Sequence, residues 1–170
     1  MASLVEELVN VLREEEKIYQ VFWDLAQKKS DILIQADVPA LEKMTAIEQV
    51  KSDELLAYSN KQISLLQDIG TVLGKQDETM TVTKLISLME SQPKVQMLLK
   101  EARDQLLDIA KRVQELNRQN EILLQQAIEL AEFDITLFKS MRQAPQTANY
   151  NKSAYNTGDI LGSSGFDAKQ

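Results

Sequence analysis

The sequence contains no cysteine. Disulfides, thiol catalysis, zinc–thiolate sites and iron–sulfur clusters are therefore excluded. It contains no histidine either. That removes the usual general base, the Ser-His-Asp arrangement, nearly all zinc and haem ligation, and the Glu-x-x-His pairs of di-iron bundles. An enzyme would have to work with carboxylates, Lys, Ser or Tyr alone, and no convergent acidic pair is visible. We expect no catalytic activity, no metal and no cofactor. Glycine and proline are scarce, at 5 and 3 in 170 residues, and only Pro39, Gly70, Gly74 and Pro93 precede Met141. A sheet protein needs a turn every few residues, so this is too little punctuation for strands. Aromatics make up 5% against a hydrophobic share of 44%. A core must therefore be built from Leu, Ile, Val, Ala and Met. No run approaches the 18 or so apolar residues of a membrane span. Met1-Ala-Ser-Leu-Val-Glu-Glu7 lacks the basic and apolar regions of a signal peptide. The expected location is the cytoplasm. The net charge is −7. Arg142, Lys152 and Lys169 against Asp159 and Asp167 leave the segment after Met141 at +1, so the rest carries −8. An acidic body repels phosphate backbones, and nucleic acid is not an expected partner.

What is present is helical periodicity. Leu4, Leu8, Val11, Ile18, Phe22, Leu25 and Ile32 follow a 4–3 spacing from Ser3 to about Ala36. A second line at sevens, Val5, Leu12, Tyr19, Ala26 and Leu33, lies beside it. Together they make a stripe wider than a coiled-coil seam, which wants more than one partner helix. Glu15 and Lys29 interrupt the first line. They either sit at the stripe's edge and reach water, or make polar contacts to a partner. Ser3, followed by Glu6 and Glu7, reads as an N-cap with an acidic first turn. Asp37-Val38-Pro39 breaks this helix and starts the next.

The second helix runs to about Leu73. Its stripe is Leu41, Met44, Leu55, Tyr58, Leu65, Ile69 and Val72, with Ile47, Leu66 and Leu73 alongside. Glu48, Lys51, Ser52 and Gln62 weaken its middle. Gly70 and Gly74 let it fray and stop. Thr81 to about Met89 reads as a short helix. Ser91-Gln92-Pro93 then opens the longest element. Its seam runs Val95, Leu99, Ala102, Leu106, Ile109, Val113, Leu116, Asn120, Leu123, Ala127, Leu130, Asp134, Leu137, Met141. Such a helix is roughly 70 Å long. The expected architecture is all-α: an elongated antiparallel helical bundle or coiled-coil hairpin, with one long C-terminal spine helix. Residues 1–141 form the helical domain. Residues 142–170 are rich in Asn, Ser, Gly and Gln, have no helical period, and are expected to be a flexible tail.

Several constellations have both a structural and a functional reading. Asn120 stands on an apolar seam, with Asn117 one turn earlier. A buried Asn fixes register when its amide is paired. Exposed, the two would hydrogen-bond a bound peptide backbone. Asp134 on the same seam implies that the helix end is not packed, because an unpaired buried carboxylate is costly. Leu130, Ala131, Leu137, Phe138 and Met141 would then form an amphipathic docking face. Glu14-Glu15-Glu16 cannot converge on one ion, since consecutive helical residues point about 100° apart. Lys28-Lys29 is too short for a phosphate patch. Trp23 reads as an edge packer before a partner contact. Gly70 to Gly74 lacks the Lys and strand of a phosphate loop.

Leu116-Asn117-Arg-Gln-Asn120-Glu-Ile-Leu123-Leu124-Gln-Gln-Ala-Ile128 resembles the N-x-x-N-x-x-L-L segment of the FlgN family, the bacterial flagellar export chaperones. Tyr155-Asn-Thr-Gly158 is similar to that family's Tyr-x-x-Gly tail signature, and Leu41 through Leu55 is similar to its second helix. The second helix departs from the family in lacking a clear basic residue at its end, and the tail extends past Gly158. The resemblance implies a cytoplasmic chaperone that binds the hook-associated junction proteins FlgK and FlgL and brings them to the export gate. It implies a substrate face of Leu116, Asn117, Asn120, Leu123, Leu124, Ala127, Leu130, Ala131, Leu137 and Phe138. It also implies docking of Tyr150, Tyr155 and Gly158 to substrate or gate. A weak homodimer fits a groove partly occupied by itself. The periodicity alone leaves a second function open: a structural coiled-coil protein whose long seam serves self-assembly.

Overall fold

The structure is a computed structural model and describes residues 2–75 and 78–143. It is all-α. Among the described residues there are four helices and no strand: α1 Ala2–Gln35, α2 Val38–Val72, α3 Val82–Leu88 and α4 Pro93–Gln143. The chain forms two compact units, one up to Leu124 and one from Gln125 onward.

In the first unit, α1 and α2 are antiparallel. Their cross-links run Glu7 to Lys61, Glu15 to Ser59 and Lys29 to Glu48, ascending on one helix and descending on the other. The first part of α4 runs parallel to α1, because Arg112 meets Trp23 and Asn120 meets Ser30. One core gathers the start of α1, the end of α2, α3 and the start of α4. Leu8, Leu12, Ile69, Leu85 and Leu99 are fully buried there. Each such side chain contributes about 1.5–3 kcal/mol by leaving water. Both α1 lines point inward, with Val5, Leu8, Val11, Leu12, Ile18, Leu25, Ala26 and Leu33 buried. On α2 the stripe is shorter than its spacing implied. Met44, Leu65, Leu66 and Ile69 are buried, whereas Ile47 and Val72 are exposed. The polar residues Glu48, Lys51, Ser52 and Gln62 interrupt the α2 line, so it is enclosed only at Met44 and from Leu65 to Ile69.

Local chemistry sets the helix ends. Asp37 caps α2 by accepting from the Ala40 amide at 3.0 Å. Thr81 caps α3 by accepting from the Lys84 amide. At the end of α2, Gly74 takes a positive φ of 68°, its amide donates to Thr71 O, and the Lys75 amide donates to Gly70 O. This pairing satisfies carbonyls left open by the last turn. The same motif ends α1, where Ala36 takes the left-handed position at φ 52°. Ser3 is not a cap, because α1 already begins at Ala2.

Of the two polar interruptions of α1, Glu15 does not reach water and Lys29 reaches it only in part. Glu15 is 3% exposed and accepts from Ser59 Oγ at 3.0 Å. Burial raises its carboxyl pKa, and the Ser59 hydrogen bond opposes the rise. Lys29 donates to Glu48 at 2.5 Å, both side chains being about one-fifth exposed. The 4–3 line passes through positions 15 and 29, so these groups face neighbouring helices and must be paired there. No helix among the described residues is long and apolar enough to cross a membrane.

Candidate functional site

Burial along the α4 seam is graded. Leu99, Ala102, Ile109 and Val113 are buried, and Leu116 is half-buried. Asn120 is 3% exposed. Leu123 and Ala127 are half-buried, while Leu130, Asp134, Leu137 and Met141 are exposed.

Asn120 is used inside the first unit. Its Nδ2 donates to Ala26 O at 2.8 Å, and its Oδ1 accepts from Ser30 Oγ at 2.6 Å. Both contacts go to α1, so this amide fixes α4 against α1. Asn117, one turn earlier, is exposed. The two asparagines thus separate: one locks the scaffold and the other faces outward. Trp23 lies under the Arg112 guanidinium at 4.5 Å from its ring centre, an intramolecular cation–π contact. In the acidic run, Glu14 pairs with Lys17 while Glu15 turns to Ser59, so these carboxylates diverge.

Asn117 and Leu124 line a groove of about 520 Å³ between α1, α2 and the first part of α4. Its floor comes from Tyr19, Phe22, Lys29 and Leu33 of α1. Its walls are Leu41, Thr45, Glu48 and Ser52 of α2 and Val113, Asn117, Asn120, Glu121 and Leu124 of α4. The α1 and α2 residues of this groove were not expected from the sequence. Their signal was the weak middle of α2: Glu48 and Ser52 stand where a packed helix would have apolar side chains. Burial raises the Tyr19 phenol pKa, and Glu15 adds to the rise.

The second unit presents exposed apolar side chains on α4. Leu130 and Phe133 are each 62% exposed and Met141 66%, and Ile128, Ile135, Leu137 and Phe138 are also exposed. Ala131 is exposed as well. Ile128, Phe133 and Ile135 lie off the seam and are found by following the whole circumference. At 3.6 residues per turn, the apolar positions from Ala127 to Met141 cover about 220° of arc. Glu129, Glu132, Thr136, Lys139 and Ser140 share the remaining arc. Asp134 falls inside the apolar arc. Arg142 lies 4.8 Å from the Phe138 ring centre. Tyr150, Tyr155 and Gly158 lie outside the described residues.

The model of the FlgN protein family matches residues 1–158 of the chain. No curated protein and no solved structure matches it.

Proposed function

The chain belongs to the FlgN family of flagellar export chaperones, and we propose from that premise that its substrates are hook-associated junction proteins of the FlgK and FlgL type. It binds them in the cytoplasm by their amphipathic terminal helices, holds them unassembled and brings them to the export gate. The observation that carries this reading is the exposed apolar arc of α4 in the second unit. A soluble helix that packs nowhere needs only a polar surface. Here Leu130, Phe133, Ile135, Leu137, Phe138 and Met141 stand in water. An exposed contiguous apolar surface marks an interaction site.

Assembly-prone helices need a cover that is apolar, reversible and without chemistry. An arc of about 220° is twice the stripe that one globular neighbour needs, so the occupant wraps it from two sides. Within the second unit the face comprises Ala127, Leu130, Ala131, Leu137 and Phe138, joined by Phe133 and Ile135. The first unit contributes the exposed Asn117 and Leu124 and the half-buried Leu116 and Leu123 on its own stretch of α4. Asn120 is left out, because its amide is already engaged. Tyr150, Tyr155 and Gly158 dock the loaded complex to the gate.

Co-purification with a FlgK- or FlgL-type protein tests the reading. Leu130→Asp together with Leu137→Asp changes two exposed positions and should leave helicity intact. Binding should weaken by about a hundredfold, two apolar anchors being replaced by charges. A folded double variant that binds unchanged places the face elsewhere. Sedimentation equilibrium separates the coiled-coil self-assembly alternative, which requires a tight oligomer lost in the same variant.

A further inference from the structure

We propose that, when no exported protein covers it, the apolar arc of α4 in the second unit pairs with the same arc of a second copy of this chain, antiparallel and in one register, with Phe138 on the two-fold axis. That this pairing and the exported partner exclude one another rests on the chaperone reading, since both use this face.

Asp134, Phe138 and Arg142 follow one another at intervals of four residues. They stand in one ridge along the helix, an anion and a cation one turn on either side of an exposed ring. The Arg142 guanidinium lies 4.8 Å from the Phe138 ring centre. Asp134 is eight residues before Arg142, about 12 Å along the axis, too far for the two to pair within one helix. In an antiparallel pair centred on Phe138, each residue is level with the one equally far past Phe138 on the second copy. Asp134 then meets the second copy's Arg142, and Arg142 meets the second copy's Asp134. Ile135 comes level with Met141, both apolar and exposed. The patch is its own complement, as a two-fold interface requires.

Other registers leave the charges unmatched. A parallel pair, or an antiparallel pair centred on Asp134, sets one carboxylate against the other. An antiparallel pair slid one turn either way sets Asp134 against Phe138 or past the end of α4 at Gln143. Each buries a carboxylate without a partner. The apolar side chains supply the attraction, and the two ion pairs select the register. The overlap runs over residues 133–143, about 16 Å or three turns. It buries well under the ~800 Å² per partner of a stable complex, so the dimer is weak and yields to a longer partner helix.

Sedimentation equilibrium of the full chain alone tests the pairing. The parent should dimerise reversibly with a dissociation constant of about 10–100 µM. Arg142→Glu and Asp134→Arg should each weaken it about tenfold, and Asp134→Arg with Arg142→Asp should return it to within about threefold of the parent. Repulsion between net charges predicts otherwise, since Asp134→Arg makes the chain less negative and would strengthen pairing. A parent still monomeric at about 1 mM, or an Asp134→Arg variant that pairs as well as the parent, overturns the proposal. The chain has no cysteine, so Phe138→Cys adds a single thiol on the axis. On oxidation it should link two copies about tenfold faster than Ser140→Cys on the far side of the helix; equal rates overturn the register. The linked dimer should not bind a purified FlgK-type junction protein that the reduced variant binds, and equal binding by both overturns the exclusion. Absence of binding by the parent removes the chaperone reading, while sedimentation still decides the pairing.

Discussion

Three substitutions at Asn120 should separate a register lock from a ligand contact. The amide makes two hydrogen bonds to α1, at 2.8 Å to Ala26 O and 2.6 Å from Ser30 Oγ. Net contributions of about 0.5–1.5 kcal/mol each put Asn120→Ala at about 1–3 kcal/mol of lost stability, with a small cavity term added. No orphan is left behind, because Ser30 Oγ already lies 3.2 Å from Ala26 O and its proton can turn there. Asn120→Leu has nearly the same size and gains apolar burial, so it should stay within about 1 kcal/mol of the parent. Asn120→Asp sets an acceptor against the Ala26 carbonyl and buries a charge without a partner. It should cost about 3 kcal/mol or more at pH 7, with part of the loss recovered on acidification as the carboxyl gains a proton to donate. Urea midpoints followed by far-ultraviolet circular dichroism give the ranking. The reasoning fails if the Asp variant is as stable as the parent at pH 7, since the amide would then not be donating into α1.

Two other positions give independent predictions. Ala36 occupies a left-handed position where a Cβ is unfavourable, so Ala36→Gly relieves about 1–2 kcal/mol of strain and gives back part of it as unfolded-state entropy. The expected gain is about 0.5–1 kcal/mol, a rise in melting temperature of about 1–4 °C; a fall would show that the α1–α2 turn is not built this way. Burial raises the Glu15 carboxyl above its ordinary value of 4.5, so the folded state holds its proton to higher pH than the unfolded chain. Stability from this group is therefore present at low pH and is lost as pH rises through the folded value. Glu15→Gln keeps an acceptor for Ser59 Oγ and removes the titration. It should be more stable than the parent at pH 7, with the difference shrinking toward pH 4; a parent that gains stability from pH 4 to 7 relative to the variant contradicts the sign.

The helices were legible because their ends carry local chemistry. Asp37 with Pro39, Gly74, Thr81 and Pro93 fix boundaries that need no knowledge of neighbours. The inward faces followed where a line of apolar residues is long and strict, as on α1. Depth was less legible. Glu15 lies on the same line as Val11 and Ile18, yet a charge on a seam looks alike whether it snorkels or is buried against Ser59. Only the position of α2 decides. The groove was hidden for a related reason. It exists because the polar middle of α2 faces α1 and α4 without filling the space between them, a property of three helices at once. Phe133 and Ile135 were missed because one seam was followed where the apolar arc is far broader.

The stretch of α4 from Gln125 onward has to be ordered without being buried, and its sequence shows how. An isolated helix of under about 12–15 residues is marginal, chiefly because nucleation is unfavourable. Here nucleation is not needed, since α4 is one continuous helix from Pro93 and each further turn only propagates it. Gln125 donates to Glu129 at 3.1 Å four residues on, and Arg142 covers the Phe138 ring, adding local support on the exposed surface. These apolar side chains are therefore carried on a helix that needs no separate nucleation, which lowers the entropy that ordering the stretch costs. Such a surface would normally pair with its own copies. Asp134 opposes this, because two such arcs pressed together bury a carboxylate on each side. Lys139 lies on the polar side, and the cation the arc does carry is Arg142, beside Phe138. A second copy therefore has to adopt a register that brings one arc's Arg142 to the other's Asp134, a restriction that a foreign partner with a cation elsewhere on its helix does not share.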